Sequence, residues 1–527
     1  MGKQSRHTRE QWGGRSAFVI AAISSAIGLG NIWRFPGVAY ENGGGAFLIP
    51  YLVAFLTAGV PILFLDYALG HRYRAAPPLT FRRIARRLEP LGWWQVLLCY
   101  LITLYYSVVI AWALAYVVFG ANLAWGEDAE TFFFADFLQA ADPGFSLDVV
   151  TGVAVPLVIV WVVATVVLSR GLRKGLQVAN KITLPTLVVL FAALVGYSLT
   201  LDGAVDGLNA FFTPSWSALG DPTVWIAAYG HIFFSFSIAF GIMLTYASYV
   251  RRKTDLAGSG LVVAFSNCSF ELLAGIGVFS TLGFLAVQRS TTIDQIEGID
   301  GVGLAFVTYP TLLSQMPAGE FMAVLFFVCL ALAGFTSLLS LLQVVVGAVQ
   351  DKTGWSTARS GLTVGLGTGI PSFLLFSTTT GVQVLDVVDA FVNNIGVVSS
   401  AIAMLLAVGI GTRLAPELGR HLSAVSTLRL GRVWLVLVTA VTPVILVLVL
   451  ITGGWEYVTE GYEDFPVWFQ AVAGWGPLGL ALTAAVLLSA GRHRRADGED
   501  FRPDDIDALA AAVRAERAGG TQDGAPR

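Results

Sequence analysis

The chain has 527 residues, 55% of them hydrophobic and only 13% charged, with a mean hydropathy of +0.71. Soluble globular chains carry roughly 25% charged residues, so this composition excludes a soluble protein and implies an integral membrane one. The formal net charge of −3 argues against a nucleic-acid partner. Cys99, Cys268 and Cys329 lie inside apolar stretches and read as small core residues, with no disulfide or metal site expected. The first sixteen residues are polar and lack a cleavable signal pattern.

In chain order, apolar stretches near twenty residues suffice to cross ~30 Å of hydrocarbon. They predict an all-α protein of about twelve spans, near 17–40, 46–70, 92–120, 150–168, 177–200, 223–249, 258–287, 319–350, 360–377, 382–411, 433–452 and 466–490. Loops alternate in charge. One set is basic, including the six arginines between Arg72 and Arg87, then Arg251, Arg252 and Lys253. The other set, 121–149, 201–222, 288–318 and 453–466, is acidic and holds Arg289 as its only cation. Positive-inside logic places the basic loops and both termini in the cytoplasm, which requires an even number of spans. The tail over 491–527 is polar and alternates in sign; it reads as a solvated cytoplasmic extension with a short helix at 503–517.

Two spans carry residues that a purely lipid-crossing helix avoids. The first contains SSAIGLGN followed by Trp33, Arg34, Phe35 and Pro36; the sixth contains FFSFSIAFG over 233–241. Unwound backbone inside a membrane is tolerated only where protein or a lined cavity satisfies it. Freed carbonyls suit a hard monovalent cation, and freed N–H groups suit a carboxylate. Paired interruptions at matching positions of two halves point to a transporter's central site. For glycines alone, close helix packing is the competing explanation.

GLGNIWRFP followed by ENGGGAFLIPY resembles the signature of the neurotransmitter:sodium symporter family, and the likeness continues through YYSVVIAW, DGLNAFFTPSW, LTYASYV and LAGFTSLLS. The resemblance implies the LeuT-like fold: a five-plus-five inverted repeat with broken helices 1 and 6, alternating access and two further helices. The organisation expected is an N-terminal segment at 1–16 bearing the inner gate, a transport core at 17–411 with repeats near 17–200 and 223–411, spans 11 and 12 within 412–490, and the tail.

The resemblance also implies site residues. A first sodium site would use Ala26, Asn31, Ser235 and Asn267 together with the substrate carboxylate, coupling ion to substrate reciprocally. A second would use Ser24, Ile27, Ala333, Thr336 and Ser337. All are oxygen donors, as a hard cation requires, although Thr336 and Ser337 alone would read as hydroxyls bonded back to their own helix. The substrate carboxylate would meet the Leu29 and Gly30 N–H groups and Tyr106. The amine would lie against Ala26, Phe234, Ser235 and Ser237, and the side chain among Ile102, Phe234, Phe240, Ser337 and Leu341, with the Tyr106 ring beside them. Monoamine transporters of the family have aspartate at the position of Gly28, so Gly28 implies a substrate bringing its own carboxylate. With no charge available for a substrate side chain, a neutral, largely aliphatic α-amino acid is expected. Ala239 replaces a glycine of relatives and, with Ile102, suggests alanine-to-leucine size.

Arg34 and Asp389 would form an outer gate, and Arg9 and Asp351 an inner gate, with Trp12 and Tyr249 packed nearby; each pair is expected to be weak, as exposed pairs are. Chloride-dependent members have serine where Glu271 stands. A fixed carboxylate there implies chloride-independent transport, with Glu271 taking a proton when the empty carrier returns. His231, replacing a glutamine, either joins that path or hydrogen-bonds near the gate; Asp66 is expected to bond the sixth-span break. Other readings remain: a β- or γ-amino acid, a betaine-like zwitterion, or a non-transporting amino-acid sensor. No paired catalytic carboxylates, His-rich cluster or phosphate-binding loop suggests an enzyme. Beyond sodium as coupling ion no cofactor is expected. The protein is placed in a prokaryotic inner membrane as a monomer or homodimer.

Overall fold

The computed structural model describes residues 9–214, 216–296, 301–495 and 501–520. Residues 1–8 of the expected N-terminal segment, and 496–500 and 521–527 of the tail, lie outside the described residues. Among the described residues the architecture is helical throughout, and the β pairing is a single isolated bridge between Val149 and Thr378. Nine described helices are long and apolar enough to cross a membrane: Gly44–Tyr73, Arg86–Gly120, Thr151–Ser169, Leu172–Ser198, Leu256–Arg289, Gly319–Thr353, Gly381–Gly411, Arg432–Thr459 and Val467–Ser489. Each overlaps one expected span. Thr357–Phe376 occupies the ninth expected position.

The first and sixth expected spans run as shorter pieces. Arg15–Ala26 is followed by Leu29–Ile32 and Arg34–Glu41, and Pro222–Ser235 is followed by Ile242–Ser248. The long helices sort by burial. Arg86–Gly120, Leu256–Arg289 and Gly319–Thr353 are central, with 78%, 72% and 67% of their apolar stretches buried, whereas Arg432–Thr459 and Val467–Ser489 are peripheral at 22% and 28%. Thr151–Ser169 turns Val155, Ile159, Val162 and Val166 outward as one exposed stripe. Such an apolar outer face is stable against lipid rather than water.

Glycines set several close approaches. A Cβ on Gly70 would lie 1.9 Å from the Leu244 carbonyl oxygen, so this glycine lets Gly44–Tyr73 seat against Ile242–Ser248. The tail departs from the solvated extension expected of it. Ile506–Gly520 is a helix that buries Leu509 and Val513, four residues apart on one face, while Arg517 donates 3.0 Å to the Val425 carbonyl at the end of Ala415–Val425. Its sequence alternates in sign because only a narrow stripe is covered.

Gly70→Ala should lower the apparent unfolding temperature in detergent, since overpacking costs typically about 1–3 kcal/mol. Gly196→Ala, where a Cβ meets nothing within 4 Å, should leave it unchanged or slightly raised; both are read by tryptophan fluorescence on heating.

Candidate functional site

The first break is built around Gly28. Arg15–Ala26 ends, Ile27 and Gly28 are extended, and helix resumes at Leu29. The Gly28 N–H donates to Asn31 Oδ1 at 2.7 Å, and the Leu29 N–H to the Tyr106 hydroxyl at 3.1 Å. Extended backbone does not require glycine here; space does. A Cβ on Gly28 would sit 2.7 Å from Ser337 Oγ and 3.1 Å from the Tyr106 hydroxyl, and one on Gly30 would sit 2.6 Å from the Phe234 ring.

In the sixth-span break, Ser237 (φ 50°), Ala239 (φ 65°) and Gly241 (φ 95°) all adopt left-handed backbone. Ala239 is held at both polar groups: its N–H donates to Asp66 at 3.0 Å, and its carbonyl accepts from Gln95 at 2.9 Å and Ser400 at 2.7 Å. The Asp66 contact matches the expectation. Ala239 itself faces away from the cavity, so its methyl does not limit pocket room as the sequence suggested.

A cavity of about 570 Å³ joins the two breaks. Every expected substrate residue lines it, from Ala26, Gly28, Leu29 and Gly30 through Ile102, Tyr106, Phe234, Ser235, Ser237 and Phe240 to Ser337 and Leu341. Ser25 is a wall residue that the sequence reading missed; its carbonyl accepts from Ser237 at 3.3 Å and Ser337 at 3.4 Å.

The expected ion ligands fall into two groups. Asn31 Nδ2 donates to Asn267 Oδ1 at 2.9 Å, and Asn267 Nδ2 donates to Ser235 Oγ at 2.6 Å, so three of the first set form one buried chain beside the cavity. In the second set, Ser337 Oγ donates to the Ile27 carbonyl at 3.4 Å, bridging Gly319–Thr353 to the first span. Thr336 bonds back to the Ala333 carbonyl at 2.9 Å, and the Ser24 hydroxyl to Ile20 at 2.8 Å, leaving the Ser24 carbonyl as its expected donor.

Glu271 is fully buried and accepts from Ser235 at 2.5 Å, from the Tyr51 hydroxyl, and pairs with His231 Nε2 at 2.8 Å. His231 is therefore a partner of Glu271 rather than of the outer gate. The signal was present: His231 precedes Ser235, and Glu271 follows Asn267, by one helical turn, and Ser235 and Asn267 touch.

The two gates differ. Arg34 stacks over Phe234, 4.3 Å from guanidinium carbon to ring centre, and Asp389 accepts from Asn393 at 2.7 Å; both line the cavity, which continues past them to Asp386 and Glu463. At the other end Arg9 reaches both Asp351 oxygens, at 3.0 and 2.9 Å, and stacks 4.4 Å from the Tyr249 ring centre. Trp12, 1% exposed, donates to the Tyr246 carbonyl at 3.0 Å. The inner pair is not the exposed, weak contact expected: the Asp351 side chain is 4% exposed, and losing one partner of a buried pair costs roughly 3–5 kcal/mol. Just beyond it, Arg74 stays charged at neutral pH, because burial and the Arg252 charge lower it only to about 10.

Comparison with known proteins shows the family and the fold. The family model described as the sodium:neurotransmitter symporter family matches residues 9–133 and 126–493. An uncharacterized sodium-dependent transporter of Methanocaldococcus jannaschii is 36% identical over 482 residues, covering 91% of this chain and 97% of the relative. The sodium-dependent serotonin transporter of Drosophila melanogaster is 32% identical over 377 residues, 66% of this chain and 60% of that protein. The crystal structure of MhsT in complex with L-phenylalanine superimposes with a TM-score of 0.72 at 30% identity, covering 85% of this chain and all of that one.

Gly28→Ala should weaken binding of a ligand seated at the first break at least tenfold, about 1.4 kcal/mol, as measured by equilibrium binding of labelled ligand in sodium, because its methyl occupies space between Ser337 and Tyr106.

Proposed function

The chain belongs to the sodium:neurotransmitter symporter family, so it is a multi-pass, sodium-dependent membrane transporter, and we propose that it imports a neutral α-amino acid by alternating access. The observation that carries this reading is the floor of the cavity. Gly28 itself offers no acidic side chain to an amine-only ligand, while the Leu29 N–H, Tyr106 and the Asn31–Asn267–Ser235 chain suit a carboxylate and a sodium ion in adjoining places. Sharing the carboxylate between protein and ion makes each ligand raise the other's affinity. The second ion would use Ser24, Ile27, Ala333, Thr336 and Ser337, tying the first span to the helix that also carries Asp351.

Ile102, Phe234, Phe240 and Leu341 supply the apolar walls, which suits an aliphatic side chain. Two observations favour extending the size range upward: Ala239 is off the wall, and MhsT was crystallised with L-phenylalanine. The loop charges support an even number of spans, read as twelve, with both termini in the cytoplasm. In that orientation an outward-facing conformation is supported by the cavity's lining, which includes Arg34 and Asp389, and by the Arg9–Asp351 pair at the other expected gate.

Glu271 supports chloride independence. Its carboxylate already occupies the place at which Tyr51, Ser235 and His231 converge, supplying locally the negative charge that an anion would otherwise bring.

The experiment is uptake of labelled amino acids into proteoliposomes under an inward sodium gradient. Sodium-dependent uptake of neutral substrates, unchanged when gluconate replaces chloride, is expected; uptake that depends on chloride rules out Glu271 as the surrogate, and no sodium-dependent uptake of any amino acid rules out the substrate class. Glu271→Ser should make uptake at least tenfold lower in gluconate than in chloride, since Tyr51 and His231 then face a vacated anion-sized space.

A further inference from the structure

We propose that the segment following the last span is a working part of the inner gate, with Arg495 a second cation on Asp351. The inference rests on the alternating-access reading above. Arg495 Nη1 donates to Asp351 Oδ1 at 2.9 Å and to the Arg74 carbonyl at 3.0 Å. Arg9 holds the same carboxylate from the opposite end of the chain, and the Ala76 N–H completes the set at 2.7 Å. The gate is thus a buried carboxylate clasped by both termini. Opening that end must release two arginines rather than one.

The segment is placed for this by contacts on either side of Arg495. His493 pairs with the fully buried Glu89 at 2.8 Å, and the Arg494 N–H donates to the Lys352 carbonyl, beside Asp351, at 3.0 Å. Lys352 in turn donates to the Gly491 carbonyl at 2.8 Å and to Glu89 at 3.1 Å. Farther along, Asp504 pairs with Arg252 at 2.9 Å and Glu516 with Lys253 at 2.8 Å, which ties the tail to the loop directly after the sixth span. The two described stretches, 491–495 and 501–517, therefore meet the end of Gly319–Thr353, the basic residues of 72–89 and the exit of the sixth span. Those are the elements that meet at the closed end. The pairs at Arg252 and Lys253 are exposed and individually weak, whereas the Arg495 contact is buried, with 11% and 4% side-chain exposure for Arg495 and Asp351. The holding force is concentrated at Asp351.

The test uses the full chain with Cys99, Cys268 and Cys329 replaced by alanine and Ser340→Cys as reporter. Ser340 lies between Ser337 and Asp351 on one helix, is fully buried, and bonds Tyr246 at 2.7 Å, so a maleimide reaches it only when the inner end opens. Labelling of the otherwise unaltered reporter must differ at least threefold between sodium and potassium media. Arg495→Ala should label at least fivefold faster in sodium. Arg495→Lys, which keeps one charged donor, and Arg492→Ala, whose side chain is exposed, should both stay slow. Unchanged labelling of Arg495→Ala overturns the proposal, as does fast labelling of Arg495→Lys or Arg492→Ala, which would mark a general loosening. No difference between sodium and potassium in the reporter itself overturns the alternating-access reading, and this proposal with it.

Discussion

The structure depends on one constraint: backbone polar groups freed inside a membrane must find partners there. The two interrupted spans free such groups at the centre of the protein, and named side chains take most of them. Tyr106 and Asn31 receive the Leu29 and Gly28 N–H groups; Ser237 and Ser337 donate to the Ser25 carbonyl. Asp66, Gln95 and Ser400 hold Ala239, and Cys99 donates to the Phe240 carbonyl at 3.1 Å. Those partners come from the breaks themselves and from four helices, Gly44–Tyr73, Arg86–Gly120, Gly319–Thr353 and Gly381–Gly411. The cavity is what remains between the breaks and their supports.

This explains what the sequence made legible. Span positions follow from apolar length, and the long helices fall where hydropathy places them, because lipid imposes one local rule everywhere. The breaks were legible because Gly28, Asn31, Arg34 and Pro36 violate that rule together. The pocket walls followed from matching a motif residue by residue, and they do converge on one cavity. Ala239 shows the limit: its position in the chain was right, but whether its methyl faces the pocket depends on a left-handed φ that sequence does not carry. The pairing of His231 with Glu271 required placing two helices face to face. The tail's helix was legible, expected at 503–517 and found at Ile506–Gly520, but the tail's docking was not. Its partners, Glu89, Asp351 and Val425, are distant in sequence and surrounded by charge, so a covered stripe of only Leu509 and Val513 leaves almost no periodic signal.

The two ends of the cavity also differ in kind. At the outer end Arg34 rests on the Phe234 face, Asp389 accepts from Asn393, and both line the cavity. At the inner end the carboxylate is buried among two arginines and an N–H, where removing any one leaves charge poorly compensated. Of the two expected gate pairs, the inner one is therefore the more firmly held in the conformation described.

The sixth-span break shows where that energy can act. Left-handed backbone costs a non-glycine residue roughly 1–2 kcal/mol, and both Ser237 and Ala239 adopt it within three residues. Such conformations persist only when the surroundings over-determine them. Ala239 is over-determined by three hydrogen bonds from three different helices, and Ser237 by a bond to the first break at Ser25. Ser235, two residues before Ser237, is both an expected sodium ligand and a donor to Glu271. Ser235 is thus joined through Ser237 and Ala239 to the first break and to three helices. A glycine there would adopt the same φ without strain; serine and alanine hold it only because these neighbours grip them.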